Sequence, residues 1–117
     1  MDQTQALKFA EHWVTAWNQH DLGAVLAHYT EDFSMTSPMI QKFTGDAAGT
    51  LKGKTAVGEY WKMALKNLPD LQFKIIAVTH GVNSVSIYYH AVMDKVAIET
   101  FFFDAHGQVY QAIANYA

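Results

Sequence analysis

From Leu71 to its last residue the chain reads as strand after strand, and that half constrains the rest. Residues 73–80, 85–93, 96–103 and 108–116 are rich in β-branched and aromatic side chains. Between them lie only Gly81-Val82-Asn83-Ser84, Asp94-Lys95 and Asp104-Ala105-His106-Gly107. Connections that short cannot carry a crossover, so consecutive strands are antiparallel neighbours in one meander.

The N-terminal half reads mainly as helix. Residues 4–19 carry Phe9, Trp13, Ala16 and Trp17 at three- and four-residue spacing. Asp21 is placed to cap a short second helix over 22–29. A short strand over 33–36 stops at Ser37-Pro38, because proline has no N–H for the ladder. Residues 39–53, with Gly45, Gly49 and Gly53, read as an irregular loop of the kind that often covers a site. A third helix over 54–67 buries Val57, Tyr60, Trp61, Ala64 and Leu65. Three helices and then a meander predict a single α+β domain over 1–117, with the helices on one face of the sheet.

Alternation in the meander gives two apolar faces. One carries Phe73, Tyr88, His90, Glu99, Phe101, Phe103, Tyr110 and Tyr116; the other carries Ile76, Ile87, Tyr89, Ile98, Phe102 and Ile113. Helices cover only one of them, so the other predicts a partner, most simply a second copy packed sheet to sheet.

Glu99 stands out on the first face, set in Val96-Ala97-Ile98-Glu99-Thr100-Phe101-Phe102-Phe103. A buried carboxylate without a partner costs several kcal/mol, so Glu99 must be solvated, paired or protonated. With Asp94-Lys95 as a two-residue turn, counting sets Met93 opposite Val96 and His90 opposite Glu99. The pair is either an acid–base dyad in an apolar pocket or an ordinary cross-strand contact.

Composition removes other chemistries. The net charge is −3 and all eight basic residues are lysine, which leaves no footprint for nucleic acid and no guanidinium. The chain has no cysteine, and no HxH or HExxH spacing suggests a metal. The start lacks a basic, apolar leader and no run is long enough to span a membrane, so the expectation is a cytoplasmic protein.

Several stretches together resemble the nuclear transport factor 2-like superfamily. They are Trp13-Val14-Thr15-Ala16-Trp17-Asn18-Gln19-His20-Asp21, Tyr29-Thr30-Glu31-Asp32-Phe33, Leu51-Lys52-Gly53-Lys54-Thr55-Ala56-Val57-Gly58-Glu59-Tyr60-Trp61 and Phe103-Asp104-Ala105-His106-Gly107-Gln108-Val109. The flavour is that of the SnoaL-like branch, with its polyketide cyclases and its ketosteroid isomerase relatives. The resemblance implies a cone-shaped curved sheet closed by helices around a pocket for a small hydrophobic molecule. It also implies chemistry without a cofactor. The isomerases' base, helical tyrosine and protonated aspartate fall on Ser37, Trp13 and Glu99, and only Glu99 keeps its chemistry. That argues against steroid isomerisation, since a hydroxyl alone cannot deprotonate a carbon acid. The cyclases' histidine and acid fit His90 and Glu99. The pocket would further draw on Trp13, Met35, Ser37, Tyr88, Phe101 and Tyr116, with Met35 and Met39 beside the Ser-Pro step. The reading is an isomerase-, cyclase- or dehydratase-type enzyme, or a non-catalytic ligand-binding or interaction domain of the same fold.

Overall fold

A computed structural model describes residues 1–117. The first helix, α1 (Gln3–Asn18), starts in a capping box: the Gln5 N–H donates to Asp2 Oδ1 at 2.8 Å and the Asp2 N–H to Gln5 Oε1 at 2.9 Å. Its buried stripe is Ala6, Ala10, Trp13, Val14, Ala16 and Trp17. Asp21 caps α2 (Leu22–Leu26) by accepting from the Ala24 N–H at 3.1 Å. This helix ends before the expected Tyr29, because Tyr29 opens β1 (Tyr29–Thr36) and is wholly buried.

The stretch read as a loop holds two elements. Ser37 ends β1 and also caps α3 (Pro38–Thr44), accepting from the Met39 N–H at 3.1 Å. Proline suits this first helical position, where its missing N–H would be unpaired anyway. Gly45 then takes a left-handed φ of 74° and stops the helix. The strand β2 (Thr50–Lys52) follows and pairs with β1, Met35 opposite Leu51. The fourth helix, α4 (Lys54–Asn67), has the expected bounds.

The meander is β3 (Lys74–His80), β4 (Ser84–His90), β5 (Val96–Phe103) and β6 (Val109–Tyr116), all antiparallel. One curved six-stranded sheet results, in the order β2-β1-β6-β5-β4-β3, with β1 parallel to β6. The helices close its concave side, and the core lies between them.

The β4–β5 register differs from the expected one. Met93 and Asp94 both adopt left-handed φ, 56° and 57°, and the Lys95 N–H donates to the Val92 carbonyl at 3.2 Å. The chain therefore turns one residue earlier than Asp94-Lys95. The Ala91 N–H donates to the Lys95 carbonyl at 2.8 Å, so Ala91 and Val92 both oppose Lys95 in a bulge. β4 ends at His90, and His90 pairs with Val96. Glu99 lies opposite Ile87 instead. An offset of three residues is odd, so every β4 side chain lands on the opposite face from the one expected. Val85, Ile87 and Tyr89 point into the core; Ser86, Tyr88 and His90 point outward.

Bulges account for other corrections. Phe103 pairs with Val109 while Phe102 pairs with Gln111, so Tyr110 is the extra residue and faces solvent. A similar irregularity between Ile75 and Ala77 in β3 leaves Ile76 on the outer face, where it was expected. The convex face thus exposes Ile76, Tyr88, Ile98 and Tyr110, each more than one third accessible. Ser86 and Thr100 hydrogen bond across it at 2.8 Å.

Candidate functional site

Concave sheet and helices leave a cavity of about 120 Å³ between them. Trp13 and Trp17 of α1 and Trp61 of α4 form its deep wall, with Met35, Leu71 and Phe73. Met39, Tyr60, Leu68, Val92 and Met93 surround the more accessible side. Aromatic packing holds the wall in place. Trp13 stacks on Phe73 with centroids 5.7 Å apart, Trp17 meets Trp61 edge to face at 5.2 Å, and Tyr89 lies 4.9 Å from Phe73. Pairs of this kind contribute about 0.5–1.5 kcal/mol beyond the burial of their area. The Trp13 indole N–H is satisfied, donating to the Tyr29 hydroxyl at 3.0 Å.

Glu99 is the only charged residue lining the cavity and is 3% exposed. Its Oε1 accepts from the Tyr89 hydroxyl at 3.1 Å, and its Oε2 has no partner. Loss of water raises its pKa to about 7, with the Tyr89 hydrogen bond pulling the other way. The carboxyl therefore stands near half protonation at neutral pH. Because Tyr89 donates to Oε1, the proton of the neutral acid belongs on Oε2.

Three tyrosines border the cavity near this acid. Tyr89, Tyr60 and Tyr116 all have phenol pKa values raised, first by burial and then by the Glu99 charge. They stay neutral donors throughout the physiological range. Ser37 borders the cavity too, and its hydroxyl and that of Tyr89 act on Tyr116 in the lowering direction.

Of the residues named from sequence, Trp13, Met35, Ser37, Glu99 and Tyr116 meet at this cavity. His90 does not: it is exposed on the convex face and forms no pair with Glu99. Tyr88 faces outward for the same reason, 37% exposed. Phe101 points inward but is packed against Phe9 at 4.9 Å and Trp13 at 5.1 Å, away from the lining. Sequence reasoning missed Tyr89, which takes the place assigned to His90 beside the acid. Its signal was present, as an aromatic with a hydroxyl one residue from the histidine, but the phase of β4 hid it.

No group of three or more His, Asp or Glu side chains is placed to hold a metal ion. His12 and His28 meet at 2.8 Å, but neither lines the cavity. No helix is long and apolar enough to cross a membrane.

A curved sheet capped by helices over a mostly apolar cavity with one buried acid defines a domain of the α+β cone class. The chain belongs to the SnoaL-like domain family, whose profile matches residues 10–114. A SnoaL-like protein of unknown function from Burkholderia thailandensis is 44% identical, covering 100% of this chain and 98% of its own, with a TM-score of 0.96. More distant structures share the fold. A SnoaL-like family protein from Agrobacterium tumefaciens, provisionally described as an isomerase, is 13% identical over 98% of this chain and 99% of its own, TM-score 0.78. A provisionally described SnoaL-like polyketide cyclase from Shewanella denitrificans is 12% identical over 96% and 90%, TM-score 0.75. No protein of curated function matches the sequence.

Proposed function

We propose that this domain binds a small, mainly apolar carbonyl compound and moves a proton on it without a cofactor, with Glu99 as the single proton-transfer group. The observation that carries the proposal is the orphaned Oε2 of a buried carboxyl whose pKa lies near 7, in an otherwise uncharged cavity. A base poised near the working pH is efficient in both directions of proton transfer. In the ionised form Oε2 takes a proton from the carbon next to the carbonyl, and the electron pair moves onto the carbonyl oxygen. The neutral hydroxyls of Tyr116 and Ser37 stabilise that oxygen. In a substrate with a β,γ-double bond Glu99 then returns the proton to the γ-carbon as the double bond shifts next to the carbonyl, an isomerisation with no net loss or gain. A saturated ketone regains its proton at the same carbon. His90 takes no part in this scheme. The isomerase and cyclase descriptions of the distant structures agree with such chemistry, although their similarity carries the fold alone.

The proposal extends to a homodimer through the convex sheet face, where Ile76, Tyr88, Ile98 and Tyr110 offer an apolar patch. The alternative is a domain that binds such ligands and catalyses nothing.

Exchange of the α-hydrogens of cyclohexanone for deuterium, followed by NMR in D₂O, tests the chemistry. The wild type is expected to accelerate exchange, Glu99→Gln to lose about 100-fold or more of that acceleration, and His90→Ala to retain it. Binding without accelerated exchange would overturn the enzymatic reading in favour of the binding domain. A dead His90→Ala variant would overturn the assignment to Glu99 alone.

A further inference from the structure

Besides Glu99 Oε2, one other buried side-chain polar atom lacks a hydrogen-bond partner: Trp17 Nε1. Both residues line the same cavity. Buried polar groups are seldom left unpaired, because an unmade hydrogen bond costs roughly 1–3 kcal/mol. Trp13, one helical turn earlier, follows the rule by donating to Tyr29. The contrast singles out Trp17. Its ring is fixed among Trp13, Trp61 and Phe73, so the N–H cannot easily turn away to find an acceptor elsewhere. It is 5% exposed, which leaves bulk water little access to it.

We propose that the Trp17 indole N–H is a second polar anchor, and that the natural ligand carries a second oxygen acceptor besides the carbonyl acted on at Glu99. This rests on the reading of the cavity as a carbonyl-compound site and narrows its ligand. Unlike Glu99, an indole N–H can only donate, so its partner must be an acceptor: a second carbonyl, an ester or lactone oxygen, or an ether. Cavity size limits the body of the molecule. A closed apolar cavity of about 150 Å³ accommodates one benzene. This one measures about 120 Å³ and opens beside the exposed Met93, so it seats about one ring with substituents reaching the mouth. The ligand class is therefore a single-ring or short-chain dioxygenated compound, such as a diketone or keto ester.

Cyclohexane-1,4-dione and cyclohexanone are matched probes, alike in size and different by one acceptor. Their binding can be measured at pH 6, where most of Glu99 is protonated, from the indole N–H resonances of the three tryptophans in ¹H–¹⁵N spectra. The dione is expected to bind about ten-fold tighter, the worth of one hydrogen bond to an otherwise orphaned donor. It should also move the Trp17 resonance downfield. Trp17→Phe should remove that resonance and bring the ratio of the two affinities, both measured on the variant, close to one. Equal binding of both probes to the wild type, or an unmoved Trp17 resonance at saturation, would overturn the anchor even if the variant failed to fold. The chemistry is judged separately. Glu99→Gln should keep the preference for the dione, because Trp17 is intact, while losing deuterium exchange. Anchor and proton transfer can thus fail independently.

Discussion

Replacing Glu99 by glutamine should change how stability responds to pH, by an amount set by burial. In the unfolded chain the carboxyl titrates near 4.5, and in the folded protein near 7. Below about 4.5 both states hold the proton and Glu99 adds no pH dependence. Between 4.5 and 7 the unfolded state releases it while the folded state keeps it, so stability falls as pH rises. Above about 7 both are ionised and the loss levels off. At about 1.4 kcal/mol per pH unit the full loss is roughly 3 kcal/mol. In the Glu99→Gln variant the amide keeps the shape and the acceptor for Tyr89 but cannot ionise, so the variant lacks this slope. Urea unfolding followed by tryptophan fluorescence at several pH values between about 4 and 8 measures the difference. With an m-value of about 1.5 kcal/mol per M, the wild-type midpoint should fall by about 2 M relative to the variant across that range. Other titrating groups cancel in the comparison. Parallel profiles, agreeing within about 0.5 kcal/mol at every pH, would refute the buried, solitary state of the carboxyl.

Tyr89→Phe removes the donor that holds the Glu99 pKa down, so that pKa should rise above about 7; ¹³C NMR titration of the labelled carboxyl reads the change, and an unchanged or lower value would contradict the pairing. Ile98→Lys places a charge in the middle of the exposed convex patch and should convert a dimer to monomer in sedimentation velocity without changing the helical circular dichroism. A monomeric wild type at tens of micromolar would refute the dimer itself.

Much of the fold could be read from periodicity, because long elements average over local exceptions. The bounds of α4 and β5 match the expected residues, and the meander's order follows from its short connections. The stretch 39–53 hides its helix and strand because Ser37-Pro38 carries two messages. A proline that ends a strand is also a favoured first residue of a helix, and Ser37 capping α3 with Gly45 closing it is the second message. The site was harder. Ile87, Tyr88, Tyr89 and His90 form a run in which either alternate set makes a plausible core face, so hydrophobicity gave no phase for β4. Phase had to come from the turn, and the turn places Met93 and Asp94 at positive φ. Methionine is not among the residues that favour such positions, so turn chemistry pointed one residue too far along, an even shift in register. The bulge of Ala91 and Val92 opposite Lys95 added the odd residue that reverses the faces. Glu99 was legible because a lone carboxyl in a hydrophobic strand must be accounted for on either face. Trp17 was visible only as core, since no sequence pattern tells a satisfied indole from an orphaned one.

The turn at Met93 and Asp94 governs which functional group reaches the acid. An insertion or deletion there that moved β4 by an odd number of residues would exchange the strand's two sides as a unit. Tyr89 would go to the outside and His90 would come in beside the cavity, with no substitution in either strand. Hydroxyl or imidazole next to Glu99 is therefore decided at a surface loop whose own residues carry no chemistry. A lineage with this fold could change the character of its acid–base pair through the length of that loop alone.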